Sequence, residues 1–136
     1  LDAALFEPFM LADQEGCRLA IVPIADMSAE YSWYAALRGA WARAQESFLY
    51  VVRPALTGTL ADAVFTGRSA VFAPLTATEE ETGICAISPE PEGDYLCTAH
   101  LDFARLADAR AKAETFGDTN ERFERDYRAR YLARYR

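Results

Sequence analysis

Lysine and histidine are almost absent from these 136 residues: Lys112 is the one lysine and His100 the one histidine. A zinc site needs three or four convergent ligands, so this chain is not expected to hold a metal by itself. Cysteine is scarce as well. Cys17, Cys85 and Cys97 form no Cys-x-x-Cys pair and keep no metal-ligand spacing. The first residues do not read as a secretory leader, because Asp2 and Glu7 interrupt them and no basic region comes first. An odd number of cysteines without a leader points to free thiols in a reducing compartment, the cytoplasm. Long apolar runs are missing too: residues 19–24 and 48–52 fall far short of the roughly 20 that a membrane helix needs. Excess positive charge is missing, and a net charge of −7 argues against nucleic acid as a partner. Neither membrane nor nucleic acid is expected.

What is present is a core. Apolar residues make up 51% of the sequence, which suits one globular domain over residues 1–136. The charge is uneven: from Arg105 onward there are nine basic and six acidic residues. Because the carboxylates are interleaved with the arginines, residues 113–136 read as a solvated or intersubunit tail helix. Phe123, Tyr127, Tyr131 and Tyr135 recur every fourth residue there, an aromatic stripe that needs a surface to lie on.

Residues 6–14 read as a helix ended by Gly16, and residues 18–23 as a strand buried on both faces and stopped by Pro23. Ser28 is a plausible N-cap, with Glu30 in the first turn, for a helix whose stripe is Trp33, Leu37, Ala40, Trp41, Ala44 and Phe48. Residues 48–52 read as the next buried strand. Gly58 and Gly67 bracket a turn-rich loop, residues 69–74 form a short strand, and residues 78–82 form a polar turn. Residues 83–87 and 95–99 read as an antiparallel pair across a turn-forming stretch, and residues 103–112 as a helix. The order α-β-α-β followed by consecutive strands predicts an α/β layered fold with a mixed sheet.

Several local motifs then resemble the nitrilase superfamily of carbon–nitrogen hydrolases. Leu1-Asp2-Ala3-Ala4-Leu5-Phe6-Glu7 is similar to the stretch after that family's nucleophilic cysteine. Gly16, the apolar run 18–22 and Pro23 are similar to its glycine, buried strand and proline. Arg43-Ala44-Gln45-Glu46-Ser47 resembles its Arg-Ala-x-Glu-Asn helix end, and Gly67-Arg68-Ser69 with Pro74 resembles its Gly-x-Ser strand ending in proline. Leu101-Asp102 and Asp126-Tyr127-Arg128 resemble its last strand and tail. Each motif is common alone; their order is what is specific. Phe6, Met10, Ser47 and Leu75 depart from the family's proline, arginine, asparagine and glycine.

The resemblance implies the C-terminal half of an αββα sandwich, beginning one residue after the expected cysteine. It implies acyl transfer by a Glu–Lys–Cys triad on a small amide or nitrile, without metal or organic cofactor. All three triad residues would precede Leu1, so none is expected in this chain. The backbone N–H of Leu1 would contribute to the oxyanion hole, Asp2 and Ala3 would line the pocket wall, and Ala25, Asp26 and Met27 would form a loop approaching substrate. The missing N-terminal half and a second copy of the chain are the implied partners. The alternative is a nitrilase-like module that has lost catalysis and serves binding or assembly.

The internal candidates have blander readings. Cys17, Cys85 and Cys97 read as structural thiols. His100 and Asp102 would share one face of a strand, which is more often a surface pair than a base. Glu46 reads as a helix-end partner of Arg43, and Trp33 and Trp41 as core.

Overall fold

The computed structural model describes residues 5–27, 37–116, 125–127 and 129–130. Leu1, Asp2 and Ala3 of the expected pocket wall lie outside the described residues, as do Ser28, Glu30, Trp33, Phe123, Tyr131 and Tyr135.

Helix α1 (Glu7–Gln14) carries Pro8 in its first turn, where a missing N–H costs nothing, and buries Phe9 and Asp13. The chain turns at Gly16 into β1 (Leu19–Ile21). Helical backbone resumes over Leu37–Trp41, broken at Gly39, and continues as α2 (Ala42–Ser47). Phe48 is the left-handed residue that ends α2, with φ of 48°, and not the first residue of the next strand. Strand β2 (Tyr50–Arg53) follows at once. The stretch expected as a loop contains a hairpin, β3 (Gly58–Leu60) against β4 (Ala63–Phe65). Ala61 and Asp62 both have positive φ, which suits a two-residue turn between right-twisted strands. Strand β5 (Ala70–Phe72), a single 3-10 turn (Leu75–Ala77), β6 (Ile84–Ile87) and α3 (Phe103–Phe116) complete the order.

The main sheet runs β1-β2-β5-β6: β1 and β2 are parallel, and β5 and β6 are each antiparallel to their neighbour. The fold is α/β with a mixed sheet, as the element order predicts. Register places Ala20, Val51 and Phe72 on one face. There they pack with Phe9 of α1 and with Ala40 and Ala44 of the second helical segment. The opposite face carries Leu19, Ile21, Tyr50, Val52 and Val71. Helix α3 covers its amino end, where Tyr50, Ala73 and Ala77 meet Leu106 and Ala109.

Two strand expectations are corrected. Strand β1 is not buried on both faces: Leu19 and Ile21 are 39% and 64% exposed, because the described helices cover only the Ala20 side there. Residues 95–99 do not pair with β6. After β6, the Gly67 N–H donates to Pro91 O and the Thr57 hydroxyl to Gly93 O. These bonds hold the turn beside the carboxyl end of β2, and the chain then runs on with no ladder and with Leu96 92% exposed. His100 and Asp102 are therefore not strand neighbours. Asp102 instead caps α3, its Oδ1 accepting from the N–H groups of Ala104 and Arg105 at 2.9 and 3.0 Å.

One ionic knot ties the first helix to the last. The buried Asp13 carboxylate accepts from Arg18 at 2.9 Å and also from Arg110 of α3.

Candidate functional site

Ligands of α/β sheets gather where parallel strands end, so the carboxyl end of β1 and β2 comes first. Past Ile21 the parallel pairing continues into the loops. Val22 donates to Val52 O at 2.8 Å, Ile24 to Pro54 O at 2.9 Å, and Leu56 back to Ile24 O at 2.9 Å. This zip fixes where the chain departs after Pro23. Ala25, Asp26 and Met27 come directly after it, all exposed, and the Asp26 carbonyl accepts from the Thr66 N–H at 3.1 Å.

The same end explains the Gly-Arg-Ser motif physically. A Cβ on Gly67 would sit 3.2 Å from the Ala55 Cβ, so a larger residue would push the two loops apart. Ser69 turns its hydroxyl to the Ala55 N–H at 3.0 Å, satisfying a donor that no strand reaches. Arg53, buried at the end of β2, donates to Arg68 O at 2.8 Å. Four stretches, 23–27, 54–57, 66–69 and 88–93, thus make one hydrogen-bonded rim. Nothing in the sequence signals the Thr66 N–H or the Pro91 carbonyl, because both join the rim through backbone groups.

The second place is an open cavity of about 540 Å³ at the amino end of the sheet, beneath the start of α3. Tyr50 and Cys85 line its interior, with Arg105 alongside. The Tyr50 hydroxyl donates to Asp102 O at 2.8 Å, and its ring meets Phe103 edge-on at 5.5 Å. Burial raises the Tyr50 pKa, and Cys85 adds to that. Burial also pushes the Cys85 thiol up, partly countered by the Arg105 charge, and burial raises Cys97. Thiols held in the protonated form are poor nucleophiles. Both shifts run against a nucleophilic role, and Cys17 lies exposed in the turn after α1.

The remaining candidates separate. Lys112 lines a smaller cavity of about 280 Å³ with Gln45 and Leu75, apart from Cys85. Glu46 pairs with Arg43 at 2.9 Å, the helix-end role expected of it. Trp41 packs against the core and donates from Nε1 to Thr82 O at 2.9 Å. Among the described residues, no three His, Cys, Asp or Glu side chains converge as metal ligands.

No family model matches the sequence. No curated protein matches it either. Solved structures do. The NitN amidase from Neterenkonia sp. AN1 superposes with a TM-score of 0.55 at 24% identity, over 84% of this chain and 41% of that one. A cysteine-to-alanine variant of the Nesterenkonia sp. AN1 amidase, in complex with butyramide, gives 0.56 at 24% identity, over 84% and 40%. A cysteine-to-serine variant, described as an amidase from the nitrilase superfamily, also gives 0.56 at 24% identity, over 84% and 40%. The chain has the fold of part of these amidases and spans about two fifths of their length.

Proposed function

We propose, from the fold shared with nitrilase-superfamily amidases, that this chain is part of a cysteine-dependent hydrolase of a non-peptide carbon–nitrogen bond. The substrate is a small amide or nitrile. In the amide case a cysteine thiolate attacks the carbonyl carbon, and the nitrogen leaves as ammonia with a proton from a carboxylic acid. Water then cleaves the thioester, giving the carboxylic acid and restoring the thiol. A lysine ammonium and the Leu1 N–H stabilise the oxyanion. The cysteine, carboxylate and lysine belong to sequence upstream of Leu1. This chain supplies the scaffold, a pocket wall at Leu1, Asp2 and Ala3, and a substrate loop at Ala25, Asp26 and Met27.

The observation that carries the reading is the superposition over 84% of the chain. Two others support it. The parallel strands end in a hydrogen-bonded rim that presents Ala25, Asp26 and Met27, and burial raises the Cys85 and Cys97 thiols, a direction that disfavours the thiolate a nucleophile needs. No described helix is long and apolar enough to cross a membrane, and we place the protein in the cytoplasm as a homo-oligomer.

The test is ammonia release from butyramide and related small amides by the whole protein, with each cysteine replaced by serine in turn. Activity should survive at Cys17, Cys85 and Cys97 and vanish at the residue preceding Leu1. Loss of turnover in Cys85→Ser, with the fold intact, would overturn the proposal, as would a residue other than cysteine before Leu1.

A further inference from the structure

The cavity beneath α3 lies at the opposite end of the sheet from the rim, and the proposed hydrolysis makes no use of it. Its charges are sorted by depth. Arg105 is half-buried, and its field reaches both Tyr50 and Cys85 on the inner wall. The acidic groups Glu79, Glu80 and Asp102 are exposed at the mouth, together with His100. The inner hydroxyls are already engaged. Tyr50 donates to Asp102 O, while the Thr78 hydroxyl donates to Leu75 O at 2.8 Å and accepts from the Gly83 N–H at 3.0 Å. The Arg105 guanidinium makes no hydrogen bond or ion pair among the described residues, while its backbone N–H donates to the Asp102 carboxylate.

Arg105 is partly covered by the cavity wall, and its guanidinium is left free to take an acceptor from a ligand. Its planar fork matches a carboxylate. The volume of about 540 Å³ falls within the usual range for small-molecule sites. The mouth adds selectivity: its carboxylates repel a dianion, while a plain amine that passes them meets the arginine. A ligand negative at its inner end and positive at its outer end satisfies both layers.

We propose that this cavity is a second ligand site, taking a small amino-carboxylate zwitterion. Its carboxylate pairs with Arg105 and its ammonium faces Glu79, Glu80 and Asp102. The site does not depend on the hydrolase reading.

Isothermal calorimetry on the full chain tests it with 4-aminobutanoate, butanoate, butylamine and inorganic phosphate. 4-Aminobutanoate should bind at least about tenfold tighter than either single-charge analogue, a difference of roughly 1.4 kcal/mol or more. Arg105→Gln should abolish that preference, and Glu79→Gln with Glu80→Gln should reduce it. Bound zwitterion should also slow iodoacetamide labelling of Cys85, read by peptide mass spectrometry. If Arg105→Gln fails to fold, the exposed Glu79 and Glu80 replacements carry the test alone. Absence of binding, equal affinity for the three organic probes, tightest binding by phosphate, or an unchanged affinity in folded Arg105→Gln each overturns the proposal.

Discussion

Replacing Gly83 by alanine tests the packing of the 78–83 turn against the helical layer. Gly83 is buried, has φ of +71°, and accepts from the Ala73 N–H at 3.0 Å. An added Cβ would lie 2.6 Å from Trp41 Nε1, 2.8 Å from Gln45 Nε2 and 3.0 Å from Ala73 O. The left-handed backbone alone costs a non-glycine residue about 1–2 kcal/mol. The contact adds more, since Trp41 Nε1 would be displaced from Thr82 O and Gln45 Nε2 from Ala73 O. Losing one such partly buried bond costs roughly 1–3 kcal/mol. The expected total is about 2–5 kcal/mol, a large share of the ~5–15 kcal/mol that holds a typical domain. Gly16→Ala is the matched control, because its φ is +87° but nothing lies within 4 Å of the added Cβ. It should lose about 1–2 kcal/mol, the backbone cost alone. Urea unfolding of both variants reads the difference directly. Equal losses at the two glycines would refute the close-approach argument.

Other perturbations probe the rim, the buried thiols and the open side of the sheet. Ser69→Ala leaves the Ala55 N–H without its acceptor and should cost about 1–2 kcal/mol in denaturant unfolding; retention of full stability would show that another group satisfies that amide. Stability should fall as pH rises above about 8.5, the ordinary thiol range. Burial raises the folded-state pKa of Cys85, Cys97 and Tyr50, so the folded chain holds protons there that the unfolded chain releases. Cys85→Ser should flatten that decline, and an unchanged slope would count against the assignment. Finally, the chain expressed without the rest of the fold should self-associate through the exposed side of β1, and Ile21→Lys should reduce it; a monodisperse wild-type monomer in sedimentation would contradict this.

Much of the fold was legible in the sequence because burial imposed a pattern. Phe9, Ala44, Val51 and Phe72 are buried where periodicity and apolar runs place them. The Gly-Arg-Ser and Pro23 motifs lie at the carboxyl end of the sheet, where local rules for turns and strand ends apply. Residues 95–99 misled because a strand's composition does not name its partner; β6 pairs with β5, and the bonds from Gly67 and Thr57 direct the chain elsewhere. The hairpin at 58–65 was hidden because its turn uses Ala61 and Asp62 at positive φ, not the expected glycine. Nothing local could reveal the cavity beneath α3. It assembles residues from β2, the 78–82 turn, β6 and the helix start, brought together only by tertiary packing.

The rim at the carboxyl end has a kinetic consequence. The amides of Thr66 and Gly67 are adjacent in sequence, yet one donates to Asp26 and the other to Pro91. Each is shielded only while two remote loops are seated at once. Their hydrogen-exchange rates therefore report opposite sides of the same opening: synchronous exchange means the whole rim lifts as a unit, and faster exchange at Thr66 alone means that the loop after β1 breathes independently.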